Sequence, residues 1–404
     1  MLHEKKKSKN HGYRSSNASR DWREPILGGI SQTRSYARRL ASSDLDGVPL
    51  VAATVSDVAL KPYTKRFGSP RDSARHTELA VVAAGLALEN SGIEIEGLHK
   101  SLCAVVVGAS LLDFGGIGKA VSRVSKKGPK AAQPRVVYTA TLTNIAETIA
   151  ETFSLYARSF AVQTSCCSGL DAILYAAHLV ESGDVEFAIC GGTEAPLHPF
   201  PLLELRAAGL TPATNENPEL LARPFDLWRT TGVVSEGSCF FILEPEDSPR
   251  PGYAWVDGYG SRSDSSGLVC SGLVGACSTA ISNSRKNRKE VECICAWAPG
   301  HKLIDKAECN SLTELFGGML KDIPVFSIKG ALGSPLGAAP AIQSAAAVLG
   351  MKKGVVLSTV NWSFRDPDCA LSLSGHNRHL GHNNVLVNAH GVGGVNSAVL
   401  YTKC

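Results

Sequence analysis

The string Gln163-Thr164-Ser165-Cys166-Cys167-Ser168-Gly169-Leu170 carries the sharpest chemical signal in this chain. A short β-type run, Ser159 to Gln163, turns there directly into an apolar segment with helical spacing, Cys166 to Val180 (CCSGLDAILYAAHLV). A cysteine at the start of a helix faces unpaired backbone N–H groups and the positive end of the helix dipole, which favours the thiolate and supplies donors for an oxyanion. Cys166 is therefore a candidate nucleophile. Both cysteines also read as ordinary core residues, because cysteine is among the most buried residue types. Metal chemistry has no comparable support. The twelve cysteines are scattered through apolar runs, and neither Cys166-Cys167 nor Cys293-Ile294-Cys295 has the C-x-x-C spacing of a zinc site.

The elements that must position this elbow follow from patterning over 404 residues. A composition of 44% hydrophobic, 19% charged and 6% aromatic residues with 39 glycines is that of an ordinary soluble globular protein and excludes disorder, collagen and coiled coil. No apolar run approaches 18 residues and no apolar stretch follows the charged start, so neither a membrane span nor a signal peptide is expected, and a cytoplasmic location is. Residues 1–40 hold ten Lys/Arg against three Asp/Glu, a local charge of +7 within a total of +4, so the body is acidic at −3 and a nucleic-acid role is not expected. Lys5-Lys6-Lys7 and the run after it read as a solvated leader.

Helical spacing predicts helices at Arg75 to Asn90, Thr139 to Phe153, near 305–317 and from Pro335 to Gly350. Strands are expected at Ala104 to Gly108, Phe187 to Gly192, 237–244, 253–259, 292–297 and Val325 to Ser327. Asn384 to Asn388 and Val395 to Tyr401, separated by His390-Gly391-Val392-Gly393-Gly394, suit a terminal hairpin. The halves share an order of elements, which divides the chain into residues 1–45, a basic, disordered or altered leader, and two α/β halves, 46–248 and 249–404, meeting near Asp247 to Gly252.

Residues 159–172 resemble the active-site strand and helix of β-ketoacyl synthases, whose Thr-Ala-Cys-Ser-Ser-type elbow carries the acyl-accepting cysteine, and Cys166 falls on it. The resemblance continues through Gly191-Gly192-Thr193-Glu194, Arg223-Pro224-Phe225-Asp226, Ser235-Glu236-Gly237 and Val256-Asp257-Gly258. Asp305-Lys306-Ala307-Glu308, Ser327-Ile328-Lys329-Gly330, Gly333 to Ala339 and Gly391-Val392-Gly393-Gly394-Val395-Asn396 extend it to most of residues 50–404. It implies the α/β thiolase fold, two related halves in five layers (αβαβα), normally paired as a dimer. It also implies an acyl carrier protein as partner and no resident cofactor, the acyl group arriving on carrier-protein phosphopantetheine or coenzyme A.

The departures from that pattern carry as much information. A condensing member uses two histidines beside its cysteine. Their positions correspond here to Trp297 and Ser334, while Lys329, Asp305 and Glu308 are kept. One oxyanion donor contributes about 3–4 kcal/mol to a transition state, so losing both donors weighs against self-sufficient condensation. His301, four residues beyond Trp297, and His390, at the first Phe position of the family's Phe-Gly-Phe-Gly-Gly turn, are candidate substitutes. His390 can activate a thiol. Val392 stands at the family's gatekeeping Phe, followed by Gly393, and opens the acyl entrance.

Three readings follow. The chain is a non-condensing subunit resembling chain-length factors and paired with a catalytic ketosynthase, although those subunits usually lack the cysteine. Alternatively it is a Cys166-dependent acyltransferase that works without decarboxylation, as a homodimer or otherwise, or a condensing enzyme with a rebuilt site. Lys126, Lys127, Lys130 and Arg135 are candidate docking residues for an acidic carrier protein or simply a solvated loop, and the resemblance puts Pro134 to Ile145 near the dimer interface.

Overall fold

Residues 13–16, 35–40, 50–68, 73–93, 102–214, 216–265 and 269–404 are described by the computed structural model, residues 13–16 in backbone only. Lys5-Lys6-Lys7 and most of the expected leader lie outside the described residues. Within that leader, Tyr13–Ser16 forms a strand, β1, which inserts antiparallel between the later strands Gly237–Glu244 (β8) and Gly252–Ser263 (β9).

The remaining main-sheet strands are Cys103–Gly108 (β4), Ala157–Val162 (β5), Phe187–Glu194 (β6), Cys293–Cys295 (β10), Val325–Phe326 (β11), Asn384–Gly391 (β12) and Val395–Lys403 (β13). Arg38–Arg39 (β2), Val51–Ala53 (β3) and Val234–Ser235 (β7) form a separate three-stranded sheet. The large sheet runs β11-β10-β12-β13-β9-β1-β8-β6-β4-β5. Read from either edge, its pairings are parallel, parallel, antiparallel, antiparallel, so β5-β4-β6-β8-β1 and β11-β10-β12-β13-β9 repeat one topology.

Among the described residues, nine longer helices clothe these strands: Asp57–Phe67 (α1), Arg75–Ser91 (α2), Phe114–Lys127 (α3), Thr143–Thr152 (α4), Ser168–Glu181 (α5), Pro199–Ala207 (α6), Leu273–Asn283 (α7), Lys302–Phe316 (α8) and Ala339–Lys353 (α9). The pattern of burial assigns their layers. β4 (CAVVVG) is buried along its whole length, as a parallel strand covered on both faces must be. α5 and α9 are apolar nearly all round, and both touch strands of both sheet halves, which makes them the middle layer. α2 and α4 cover the outer face of one half, α7 and α8 that of the other, giving five layers. The middle helices meet through small residues: a Cβ on Gly169 of α5 would stand 2.7 Å from Gly337 O and 3.3 Å from the Ala341 methyl of α9. This is the expected thiolase-type layering.

Several boundaries differ from the sequence reading, each for a local reason. α2 ends as expected, with Gly92 in the left-handed conformation and its N–H on Glu89 O. The expected helix from Thr139 is broken: Val136–Thr139 is a single helical turn and α4 begins at Thr143. The active-site helix begins at Ser168 rather than Cys166, because residues 163–167 are spent on the elbow. Pro335 delays α9 to Ala339 behind a 3₁₀ turn at Leu336–Ala338. α3 was not anticipated and has no buried residue.

Candidate active site

Between β5 and α5 the chain reverses through Ser165, whose φ of 53° is the left-handed conformation that non-glycine residues seldom adopt. The Ser168 hydroxyl fixes this elbow, accepting from Thr164 N at 3.0 Å and donating to Ser165 O at 2.5 Å. Of the two cysteines, Cys167 is the core residue, fully buried with its thiol on Val395 O at 3.4 Å. Cys166 stands one residue before the helix N-cap and keeps 9% of its surface accessible.

The terminal hairpin closes over it. Gly391 is required by close approach: a Cβ there would lie 3.1 Å from Ser165 Cβ and 3.3 Å from Cys166 N. The next residue, Val392, donates its N–H to Cys166 Sγ, and Ser165 Oγ lies 3.9 Å from the sulfur. Burial nevertheless pushes the Cys166 thiol above its ordinary value, against the Lys329 charge and these hydrogen bonds. The expectation that the helix N-terminus alone favours the thiolate is therefore corrected: desolvation outweighs it. Val392 itself is 56% exposed and Gly393 has a φ of 102°, so the tip of the turn stands open to solvent.

The second half of the site comes from the β10–α8 and β11–α9 connections. Trp297 is buried in the loop after β10, and the Lys329 ammonium donates to Trp297 O at 2.5 Å while lying 2.7 Å from the centre of its ring. Glu308 accepts from Trp297 N at 2.7 Å, Ala298 N at 2.8 Å and Asn388 Nδ2 at 2.5 Å. Asp305 accepts from Phe225 N at 2.8 Å and Gly300 N at 3.1 Å, with Arg229 Nε 3.8 Å away. Both carboxylates thus fasten the 297–300 loop. Burial pushes Asp305 up to about 7, raises Glu308 and drives Lys329 well down, each against the hydrogen bonds or opposite charges around it. Ser334 is buried and tied by its backbone to Val233 O and Ser235 N, at 2.7 and 3.0 Å.

The two substitute histidines separate. His301 is the N-cap of α8: its Nδ1 accepts from Leu303 N at 3.3 Å and Ile304 N at 3.4 Å, and burial lowers its pKa. It serves the helix and is not a candidate base, which corrects its place among the candidate residues. His390 is buried at the end of β12, next to the glycine that packs on Cys166, with Nδ1 2.8 Å from Asn396 Oδ1. Strand alternation turns its ring to the opposite face of the sheet from that glycine and the thiol, toward Asn396 and Asp264, which corrects its place as the candidate base.

Sequence reasoning gave no role to Glu194. This buried carboxylate accepts from Ser110 N at 2.8 Å, Ser110 Oγ, Leu111 N at 3.2 Å and Gly337 N at 3.1 Å, joining the end of β4 to the start of α9. Burial pushes it up to about 7. The signal was its place in Gly191-Gly192-Thr193-Glu194, where an acid ends a fully buried strand. A cleft of about 690 Å³ lined by His76, Asp113, Lys119, Arg123 and His198 was also missed; Cys166 is not in its wall. Among the described residues no group of three or more His, Cys, Asp or Glu is placed to hold a metal ion, and no helix is long and apolar enough to cross a membrane.

Comparison with known proteins places this geometry. The family models for the β-ketoacyl synthase N-terminal and C-terminal domains match residues 55–248 and 253–363. The tetracenomycin polyketide synthase ketoacyl synthase alpha subunit of Streptomyces glaucescens is 29% identical over 377 residues, covering 89% of this chain and 88% of that protein. A putative polyketide beta-ketoacyl synthase 1 of Streptomyces cyaneus is 31% identical over 346 residues, covering 81% and 82%. Two solved structures superpose with TM-scores of 0.85 over 98% of both chains. They are the ishigamide ketosynthase/chain length factor, at 23% identity, and AntDE:AntF, a type II PKS acyl-carrier protein in complex with its ketosynthase bound to the hexaketide, at 21%. With sequence agreement running through both halves and the same layered fold beneath it, the chain belongs to the β-ketoacyl synthase family.

Proposed function

We propose that this chain is the non-condensing member of a ketosynthase pair, chain-length-factor-like, working on carrier-protein-bound acyl chains in polyketide or fatty-acid-type biosynthesis. Trp297 carries the proposal. Decarboxylation of a malonyl thioester needs donors at its carbonyl as negative charge develops. At the position the family resemblance assigns to the first donor stands an indole held by Glu308 through its backbone and by Lys329 on its ring and carbonyl. Ser334, at the second position, is too short to replace an imidazole.

The surface supports a paired assembly. β5 lies at the sheet edge, and Val121 of α3 with Val137 and Tyr138 leaves apolar side chains exposed nearby in sequence. Lys126 and Lys127 end α3, and Lys130 and Arg135 follow, all exposed and suited to an acidic carrier protein. The acyl group would arrive on phosphopantetheine or coenzyme A, with no resident cofactor. The test is carbon dioxide release from malonyl carrier protein, by the chain alone and mixed with a condensing polyketide ketosynthase, with light scattering on both samples. The proposal expects no release alone and a mixed dimer in the mixture. Release by the chain alone favours a condensing enzyme with a rebuilt site and overturns it, as does a strictly monomeric chain in both samples.

A second reading, Cys166-dependent acyl transfer, is favoured by the donors at Cys166 Sγ, the Val392 N–H and the Ser165 hydroxyl. Intact-mass spectrometry after exposure to acyl and malonyl thioesters tests it. It expects an adduct on the wild-type chain that Cys166→Ala lacks, and the absence of any adduct removes it.

A further inference from the structure

The cleft of about 690 Å³ has an unevenly charged wall, with Arg75, Lys119, Arg123 and Arg135 against two carboxylates, Asp113 and Glu236. Both carboxylates are spent on the fold. Glu236 accepts from Arg75 Nε and Nη2 at 3.3 and 3.2 Å and from Val55 N at 2.9 Å, which also spends Arg75. Asp113 caps α3, accepting from Gly116 N at 2.9 Å. Lys119 and Arg123 stand one helical turn apart on α3 and so share a face of it. Both line the cleft, and among the described residues neither has an ion-pair or hydrogen-bond partner.

Two imidazoles border the same space. His76, in the first turn of α2, is 5% exposed and lines the cleft, yet its ring has no hydrogen-bond partner among the described residues. Burial lowers its pKa to about 4, so at neutral pH it is uncharged and offers one N–H and one lone pair. A buried polar ring left without a partner is costly, so this one points to a ligand that completes it. His198 Nδ1 accepts from Phe200 N at 3.3 Å, which puts its proton on Nε2. Glycines on α3 let that ring in: a Cβ on Gly115 would stand 3.5 Å from His198 Cδ2, and one on Gly118 4.0 Å from Cε1. The Nε2 between those carbons therefore faces the helix that carries the two unpartnered cations. Leu112, Ile117 and Leu197 make the adjoining wall apolar.

We infer that this cleft is a binding site for a small organic anion, a carboxylate or phosphate head on an apolar body. Lys119 and Arg123 attract the head, the apolar side chains take the body, and His76 supplies the donor or acceptor that a buried polar atom of the ligand requires. The site lies apart from the thiol, since Cys166 is not in its wall, and it stands on neither reading of the catalytic corner.

The test is calorimetric titration of the full chain with benzoate, phenyl phosphate and, as a neutral control, benzyl alcohol. The expected result is saturable binding of one or both anions that weakens as salt is raised, and no binding of the alcohol. The anion bound more tightly names the head. Lys119→Gln and Arg123→Gln lie on a helix with no buried residue and keep the fold, and each is expected to weaken binding about tenfold. His76→Phe, checked by its melting curve, is expected to weaken it several-fold. Failure of both anions to saturate overturns the inference. So does equal binding of the alcohol, or wild-type affinity in the double variant Lys119→Gln, Arg123→Gln, which puts the bound anion elsewhere. Val136 and Thr139, also in the wall, belong to the segment that the family resemblance puts near a dimer interface. The titration is therefore repeated on the mixed dimer with a condensing ketosynthase, and anion binding that is lost on pairing overturns the ligand role and makes the cleft the partner's seat.

Discussion

The two halves build the same corner twice and furnish it differently. β5 leads through Ser165, with φ of 53°, into α5; β11 leads through Leu336, with φ of 37°, into α9. Each helix then returns to a strand two places along the sheet, β6 or β12, with β4 or β10 lying between. The first corner keeps a thiol with donors aimed at it, whereas the second carries Ser334 held by its backbone and Lys329 resting on the Trp297 indole. Yet the second corner is no less ordered: small residues still seat α9 on α5, and Glu194 still reaches Gly337. The backbone of the site is held by packing and by buried carboxylates, so one corner can change its chemistry without disturbing the other.

Emptying the second corner gives the largest effect. Trp297→Ala removes a buried indole, strips Lys329 of its platform and should cost about 3–5 kcal/mol in chemical denaturation. If the corners are independent, Cys166 in the folded variant is still alkylated by iodoacetamide at the wild-type rate. A parallel fall in both quantities breaks the comparison. Closing the seam between the corners comes next: Gly169→Ala puts a methyl 2.7 Å from Gly337 O, a backbone atom that moves only if α9 moves. It should therefore cost about 1–3 kcal/mol. A neutral result would show the middle helices free to slide.

The carboxylate bridging the corners sharpens the picture through pH. Glu194 and Asp305 are each pushed by burial up to about 7 in the folded chain, above the ordinary carboxylate range near 4.5 and 3.8. Between those limits the folded state holds protons the unfolded chain has released, so these groups make stability fall as pH rises through 7. Denaturation midpoints across pH 5 to 8 should fall for the wild-type chain and less steeply for Glu194→Gln. Equal slopes would place the titration elsewhere.

The layout was legible in the sequence because hydrophobic period and turn chemistry are local. The buried run of β4, the Gly92 stop of α2 and the terminal hairpin need no tertiary context. The elbow was legible too, as a strand meeting a helix across two cysteines. What escaped depends on who lies opposite whom. The leader's Tyr13–Ser16 is a strand only because β8 and β9 leave a gap between them. α3, with no buried residue, lacks the core-facing signal that marks other helices. The thiol's pKa required knowing that desolvation exceeds the helix-end field, and the hydrogen bonds that run from His390 through Asn396 to Asp264 span 126 positions that no local pattern connects.

His301 supplies the smallest effect and a clean control, because sequence and structure assign it different work. As the N-cap of α8 it satisfies two backbone donors through Nδ1, the nitrogen that must carry no proton for the purpose. His301→Ala should cost about 1 kcal/mol, and His301→Asn, which restores a capping acceptor, should recover most of it. Neither change should alter the pH profile of Cys166 alkylation, since the imidazole faces its own helix. Protonating His301 at low pH removes the acceptor, so burial lowers its pKa in the direction that preserves the cap near neutrality. A His301→Asn variant with a normal melt but a shifted Cys166 profile would return this histidine to the chemistry and show that the second corner reaches the first.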